Sequence, residues 1–158
     1  MLKIIEDTRQ KESKHDNIGI YLSKMRIPVE RKKLQCGDYM IDGNNAVSVD
    51  TKQSLSEICM DLGSEQSRFR REMIRANELG IKLIVLIEDG RYKNICDVQK
   101  WKNPNFNKSK ICMSGKELAK RMRRSEISYG VSFKFCKPEK TGECLLSILL
   151  SEKGGDRL

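Results

Sequence analysis

Two short stretches of the chain carry residues whose types and spacing could support metal-assisted chemistry. They are the Gly-Asp-Tyr turn at residues 37–39 and the Asp-Thr-Lys triplet at residues 50–52, which ends a predicted strand. Because side chains alternate along a strand, Asp50 and Lys52 should share one face. A hairpin would bring Asp38 to the same end of the sheet. Two carboxylates that meet there form an oxygen-rich site suited to a hard divalent cation, most simply Mg²⁺.

Each residue of these two motifs has an expected chemical role. A cation held by Asp38 and Asp50 would polarise a phosphoryl oxygen and acidify a bound water molecule. Lys52 would hold the attacking water or stabilise the developing negative charge. Thr51 could add its backbone carbonyl to the cation, since its side chain is expected to point to the opposite face. The candidate chemistry is therefore the attack of water on a phosphoryl group.

The context of the triplet distinguishes it from similar triplets. An acidic residue followed two positions later by lysine also occurs at residues 12–14 and 30–32, so the pattern alone is weak evidence. Only the copy at 50–52 follows a Gly-Asp turn, ends an apolar strand and precedes a capped helix with a basic stripe. If this register is wrong, Glu30 and Lys32 are the competing pair.

The elements that would position these residues alternate between strands and helices along the chain. Apolar patterns and turn residues predict strands at 2–6, 29–34, 39–41, 46–52, 82–87 and 131–136. Capping and breaker residues predict helices at 16–25, from 54, at 65–79, at 114–129 and from 141. A long polar connection is expected at 91–113. The pattern indicates an α/β domain with a mixed sheet flanked by helices.

Two of the predicted helices carry clusters of basic side chains. The helix at 65–79 has an apolar face and, on another side, a stripe formed by Arg68, Arg71 and Arg75. The helix at 114–129 carries a second cluster, formed by Lys116, Lys120, Arg121, Arg123 and Arg124. Each cluster could track a phosphate backbone, or it could be an ordinary solvated helix face.

The composition is that of one basic globular domain. The chain has 158 residues, of which 38% are hydrophobic, enough for a single core. Lys and Arg number 31 against 22 Asp and Glu, and the resulting net charge of +9 favours a polyanionic partner such as nucleic acid. No apolar run is long enough to cross a bilayer, and the N-terminus turns acidic too early for a signal peptide. We expect one domain over residues 1–152 and a flexible tail over 153–158.

The six cysteines do not form a metal-binding pattern. No pair has the Cys-x-x-Cys spacing, and the single histidine, His15, is expected on the surface. Structural zinc sites need closely spaced ligands, so no zinc is expected. Without a secretory signal, disulfides are not expected either. We interpret the cysteines as reduced thiols that pack as small hydrophobic side chains.

Five motifs follow one another in a specific order between Ile4 and Glu88. They are Asp-Thr-Arg-Gln at 7–10, Leu-Gln-Cys-Gly-Asp-Tyr at 34–39, Val-Asp-Thr-Lys at 49–52, a Gly and an Arg-rich helix with Gln at 63–70, and the apolar strand before Glu88. In this order they resemble the nuclease domain of the XPF/Mus-type structure-specific endonucleases, a branch of the PD-(D/E)XK superfamily. Residues 114–150 are also similar to the helix-strand-helix end of small phage and prokaryotic members. The resemblance implies a restriction-endonuclease-like fold.

The resemblance also implies roles for individual residues. Asp38 and Asp50 would bind the metal, Lys52 would be the catalytic base or a charge stabiliser, and Asp7 would be a third acid. Beside these roles, two further residues could contact the nucleic acid next to the arginine stripe. They are Arg9, for which a surface salt bridge is the alternative, and Gln66, which could instead orient water.

The activity that the resemblance implies is a DNA endonuclease that depends on Mg²⁺ or Mn²⁺ and acts on branched or flapped DNA. A homodimer through the C-terminal helices and an intracellular setting, in a prokaryote or a phage-infected cell, follow from the same resemblance. The chain departs from the family pattern at Thr51, where the motif has Arg, and at Ser56, where it has Asp, with Glu57 next to it. Two alternatives stay open: an inactive nucleic-acid-binding module, or a structural subunit that pairs with an active partner.

Overall fold

A mixed sheet forms the centre of the protein, and a computed structural model describes residues 1–10, 15–64, 67–106 and 113–153. The described residues form six strands in the order β2-β1-β3-β4-β5-β6. Their bounds are β1 Ile4–Glu6, β2 Val29–Arg31, β3 Tyr39–Ile41, β4 Asn44–Lys52, β5 Lys82–Ile87 and β6 Ser132–Phe135. The pairs β1–β3 and β3–β4 are antiparallel, and the other three are parallel. The predicted mixed sheet is therefore confirmed, with β2 at one edge as expected.

Helices cover both faces of this sheet. Their bounds are α1 Asp16–Lys24, α2 Leu55–Leu62, α3 Arg68–Glu78, α4 Ile95–Val98, α5 Gly115–Tyr129 and α6 Thr141–Lys153. The helices α2, α3, α4 and α5 pack on one face around a core that includes alternate residues of β5. The helices α1 and α6 pack on the other face. Because β5 is buried on both faces, side chains on each face are apolar, which explains the continuous apolar run of this strand.

Serine caps fix where three helices begin. The Ser54 hydroxyl accepts a hydrogen bond from the backbone N–H of Glu57, and Ser114 does the same for Glu117. Both capping boxes were predicted, and α5 ends at Gly130 with a φ of 68°, which glycine adopts readily. The helix predicted at 65–79 is shorter than expected, because Ser67 caps it and α3 begins at residue 68.

The hairpin of β3 and β4 sets the position of the predicted motifs. Tyr39 pairs with Val49 and Ile41 pairs with Asn44, with an irregularity between them. Gly43, at a φ of 81°, makes the turn between the two strands. The strand β4 begins two residues earlier than predicted and ends at Lys52, as predicted.

The last helix contributes to the core. Leu145, Ile148 and Leu149 are buried against α1 and the sheet, whereas Leu150 is exposed. Trp101 is also buried in the core, and Phe106 is exposed. No helix in the described ranges is long and apolar enough to cross a membrane. The tail was predicted to begin at residue 153, but Lys153 is the last residue of α6, and residues 154–158 lie outside the described residues. Gln66 and most of the connection after Phe106 also lie outside them.

Candidate active site

An open cleft lies between the end of the sheet and α3. It has a volume of about 710 Å³, and three acidic and four basic side chains line it: Asp7, Asp38, Glu72, Arg9, Arg68, Arg71 and Arg75. All three arginines of the predicted stripe therefore face the same cleft as Asp38. The apolar face of α3, with Phe69 and Met73 buried, holds the stripe in this orientation.

The position of Asp38 depends on the glycine before it. Gly37 has a φ of 73°, and a Cβ at this position would clash with the Ser48 hydroxyl of the neighbouring strand. The backbone N–H of Asp38 donates to the carbonyl of Val49 at 2.8 Å. The carboxylate then turns back to β4, where its Oδ2 accepts hydrogen bonds from the backbone N–H and the hydroxyl of Thr51, each at 2.8 Å. Both hydrogen bonds end on Oδ2, so Oδ1 is the oxygen that remains available to another ligand.

Asp50 is a buried carboxylate whose charge is poorly compensated. It precedes Thr51 along β4, its own side chain lies on the α3 side of the sheet, and the residue is 5% exposed. Burial raises the pKa of its carboxyl group well above the usual value, the charge of Asp38 raises it further, and Lys52 opposes this. Its Oδ2 accepts no hydrogen bond of good geometry, although the Lys52 ammonium is 3.3 Å away. A buried oxygen in this condition favours a nearby cation.

The side chain of Lys52 is a charged ammonium group that lies between two carboxylates. Its Nζ is 3.3 Å from Asp50 Oδ2 and 3.0 Å from Asp61 Oδ2. Burial by itself would lower the pKa of Lys52, but these two carboxylates outweigh burial and raise the pKa above its usual value. The ammonium also lies over the ring of Phe69, 4.7 Å from its centre. Asp61 of α2 thus supplies an acid next to the lysine in a chain that has Ser56 where the family motif has Asp.

Asp7 and Arg9 form an ion pair at the rim of the cleft. Asp7 Oδ1 accepts from the backbone N–H of Leu34 at 2.9 Å, and its Oδ2 accepts from Arg9 Nε at 2.8 Å. Its backbone N–H donates to the carbonyl of Asp38 at 2.8 Å. Both Asp7 oxygens are therefore engaged by protein donors, so its geometry suits holding the Asp38 turn in place.

Glu72 is a cleft residue that the sequence analysis missed. Its Oε1 accepts a hydrogen bond from the backbone N–H of Gly37 at 2.5 Å. Burial raises the pKa of Glu72, the Gly37 amide opposes this, and the charge of Asp38 adds to the increase. The available signal was helical spacing, because Glu72 lies four residues after Arg68 and three before Arg75 and so shares their face.

His15 is buried, and its predicted surface position is wrong. The side chain is 3% exposed, and its Nε2 lies 2.9 Å from the Thr51 hydroxyl oxygen. Its ring meets the ring of Tyr39 edge-on, with centres 5.9 Å apart. The physical reason is that α1 packs on the sheet, so that the residue just before it reaches the end of β4. A single histidine before a helix carries no periodic signal from which this could be predicted.

The competing pair Glu30 and Lys32 lies away from this site. Glu30 is on the edge strand β2, which β1 and β3 separate from β4, and its Oε2 is 2.7 Å from Lys3 Nζ. The structure thus brings Asp38 to the triplet at 50–52 and leaves the triplet at 30–32 outside the site. The second basic cluster also lies elsewhere: Arg121 and Arg124 line a separate groove with Arg70.

The donor set fits a hard divalent cation that keeps part of its water shell. Within the described ranges, no group of three His, Cys, Asp or Glu side chains could hold a metal ion. However, Mg²⁺ is commonly bound through one or two carboxylates with several waters retained. Asp50 Oδ2, which is buried and accepts no hydrogen bond of good geometry, and Asp38 Oδ1 would be the two oxygens for this role.

Comparison with known proteins places the chain in a family. The sequence model of the ERCC4 domain matches residues 6–148, so the chain belongs to the ERCC4 domain family. The resemblance to XPF-type nuclease domains is thereby confirmed. No curated protein sequence matches the chain.

Solved structures with the same fold include XPF from Aeropyrum pernix. It matches with a TM-score of 0.66 and 18% identity, covering 96% of this chain and 65% of that one. The same protein in complex with DNA matches with a TM-score of 0.66 and 17% identity, covering 100% of this chain and 68% of that one. This chain therefore spans about two thirds of the XPF chains, and the likeness confirms the predicted fold class.

Proposed function

We propose that the protein is a divalent-metal-dependent DNA endonuclease that hydrolyses a phosphodiester in the cleft beside Asp38. The observation that carries the proposal is a pair of carboxylates, one just before the start of β3 and one near the end of β4. Asp50 is buried, with an Oδ2 that accepts no hydrogen bond of good geometry, and the charge of Asp38 raises the pKa of Asp50. Membership of the ERCC4 domain family supports the same activity.

Asp38 and Asp50 would hold Mg²⁺ or Mn²⁺, which when bound activates water and polarises the phosphoryl group. In the reaction the water oxygen forms a bond to phosphorus, the bond to one ester oxygen breaks, and that oxygen takes up a proton. Lys52, held as an ammonium group between two carboxylates, stabilises the negative charge that develops, so we assign it this role rather than that of a base. The Thr51 carbonyl as a further ligand stays a prediction.

The basic wall of the cleft would bind the DNA backbone. Arg68 and Arg71 line the cleft, and Arg75 lines it while donating a hydrogen bond to the carbonyl of Gln35. Guanidinium groups bind and neutralise phosphates of the nucleic-acid backbone. Arg9 also lines the cleft, fixed by Asp7, and would contribute to DNA binding, whereas contact by Gln66 stays a prediction. Branched or flapped DNA is the proposed substrate class, because the family resemblance implies it.

The test is a cleavage assay with the purified chain. Labelled flap, fork, four-way and linear DNA are incubated with Mg²⁺, Mn²⁺ or chelator. We expect cutting of the branched substrates only with metal, and loss of cutting with retained binding for Asp50→Asn and Lys52→Ala. Glu30→Gln is the matched control and should cut normally. Loss of cutting in Glu30→Gln, with normal cutting in Asp50→Asn, would contradict the assignment of the site.

The same assay separates the two alternatives. A wild-type chain that binds DNA with the expected salt dependence but never cuts is an inactive binding module. A chain that neither cuts nor binds until a second protein is added is a partner subunit. Leu145 and Leu149 of α6 are buried within the chain, so these two side chains do not form an exposed surface for a partner. A homodimer through the C-terminal helices therefore stays a prediction. Light scattering after size exclusion measures it.

A further inference from the structure

A chain of hydrogen bonds reaches Asp38 from the face of the sheet opposite to α3. The Thr51 hydroxyl donates to Asp38 Oδ2 at 2.8 Å, and the same hydroxyl oxygen lies 2.9 Å from His15 Nε2. A hydroxyl has one hydrogen, and here it goes to Asp38. His15 Nε2 must therefore carry its own hydrogen and donate it to Thr51. The order of donors is His15, then Thr51, then Asp38.

The surroundings keep this chain in one arrangement. Thr51 is 1% exposed, and the His15 side chain is packed against Tyr39. On the far side of the ring, His15 Nδ1 lies 3.9 Å from Glu88 Oε1. Glu88 follows β5, and its backbone N–H donates to the carbonyl of Lys52 at 2.8 Å. Thr51 and Tyr39 thus hold the histidine, and because its side chain is 3% exposed, water has little access to compete for the Thr51 hydroxyl.

We propose that Thr51 and His15 are positioning residues that orient the Asp38 carboxylate for cation binding. The inference rests on the proposed metal-dependent function and deepens it. Two donors of Thr51 fix Oδ2, which leaves Oδ1 to face the cation. His15 in turn fixes the direction of the Thr51 hydroxyl, which could otherwise rotate away from Asp38.

The residue at position 51 distinguishes this chain from the family motif. The family motif has an arginine at position 51, where this chain has a threonine that donates to Asp38 through its backbone N–H and its hydroxyl. In this chain the Thr51 hydroxyl on β4 orients the Asp38 carboxylate, and the His15 imidazole just before α1 orients that hydroxyl. Partners of this kind behind a metal ligand typically change metal affinity by about 10–100-fold when removed.

The experiment measures Mn²⁺ binding to the full chain without DNA, by calorimetry or by electron paramagnetic resonance. Thr51→Val keeps the shape and removes the hydroxyl, so the Kd for Mn²⁺ should rise by about 10–100-fold. Thr51→Ser keeps the hydroxyl and should bind like the wild type. His15→Met removes the donor and should weaken Mn²⁺ binding several-fold. His15→Gln places an amide N–H where the histidine Nε2 was, so its Mn²⁺ affinity should be close to that of the wild type.

Thr141→Val is the matched control. Thr141 is 0% exposed, and its hydroxyl donates to the carbonyl of Pro138 at 2.9 Å, so this variant also loses a buried hydrogen bond. Its Mn²⁺ affinity should be unchanged. In cleavage assays, raised Mn²⁺ should restore the rate of Thr51→Val, while its KM for DNA stays at the wild-type value.

The outcomes separate the inference from the proposed function. A wild-type chain that binds no Mn²⁺ overturns the proposed function and this inference with it. A wild type that binds Mn²⁺ while Thr51→Val binds equally well, or Thr51→Ser binds as poorly as Thr51→Val, overturns the inference alone. If Thr51→Val does not fold, the pair His15→Met and His15→Gln decides in the same way.

Discussion

Replacing Asp50 with asparagine should stabilise the metal-free protein while removing its activity. The Asp50 carboxylate is buried, its Oδ2 accepts no hydrogen bond, and burial together with the charge of Asp38 disfavours its ionised form. An amide has nearly the same shape and no charge. The variant loses the attraction of Lys52, but that ammonium keeps its contact with Asp61 at 3.0 Å. The net effect should therefore be stabilising.

The expected size follows from the extra cost of burying a charge in place of a neutral polar group. A buried neutral group without a partner costs about 1–3 kcal/mol and a charge costs more, and we take the excess to be of the same size, about 1–3 kcal/mol. In a domain of this size each kcal/mol shifts the Tm by about 2–4 °C. In chelator, Asp50→Asn should therefore melt about 2–12 °C above the wild type. A cation present at ten times its Kd should stabilise the wild type by about 1.4 kcal/mol and leave the variant unchanged.

Thermal unfolding followed by circular dichroism, with chelator and then with Mn²⁺, measures both effects. Asp89→Asn is the matched control, because the Asp89 carboxylate is paired: it accepts three hydrogen bonds from Arg91, at 3.0, 3.0 and 2.8 Å. The Arg91 side chain hydrogen bond holds the pKa of Asp89 below its usual value. The pair is partly screened by solvent, so this variant should lose only about 1 kcal/mol. An Asp50→Asn protein that melts below the wild type in chelator would refute the reasoning.

Three further predictions concern the turn, the basic wall and a helix cap. Gly37→Ala must place a side chain at a φ of 73° against the neighbouring strand, so it should lose about 2 kcal/mol or more in thermal melts and lose cleavage with it. Replacing Arg68, Arg71 and Arg75 with glutamine should lower the salt slope of DNA binding by up to about 2.7, measured by fluorescence anisotropy, and an unchanged slope removes the stripe from the interface. Ser114→Ala removes the cap of α5 and should cost about 1 kcal/mol without changing cleavage, so that a lost activity would contradict the position of the site.

The β3–β4 hairpin and the helix α3 show what the local sequence pattern could predict. Alternation along β4 predicted that Asp50 and Lys52 share a face, and the structure has Lys52 Nζ 3.3 Å from Asp50 Oδ2. Helical spacing predicted an apolar face on the helix at 65–79. Phe69 and Met73 on that face are buried, and this orientation turns the arginine stripe towards Asp38. Both results depend on a repeat of two or about 3.6 residues, which the order of residues contains directly.

The sequence by itself determined the six described strands, every described α-helix except α4, the Ser54 and Ser114 caps, the triplet at 50–52 and the basic face. Only the tertiary structure decided which distant side chains complete the site. His15 meets Thr51 across 36 positions, and Glu72 meets Gly37 across 35. Asp61 reaches Lys52 in the same way, through the packing of α2. The physical reason is that such contacts depend on how helices dock against the sheet, through cores on its two faces, and no local periodicity specifies that docking.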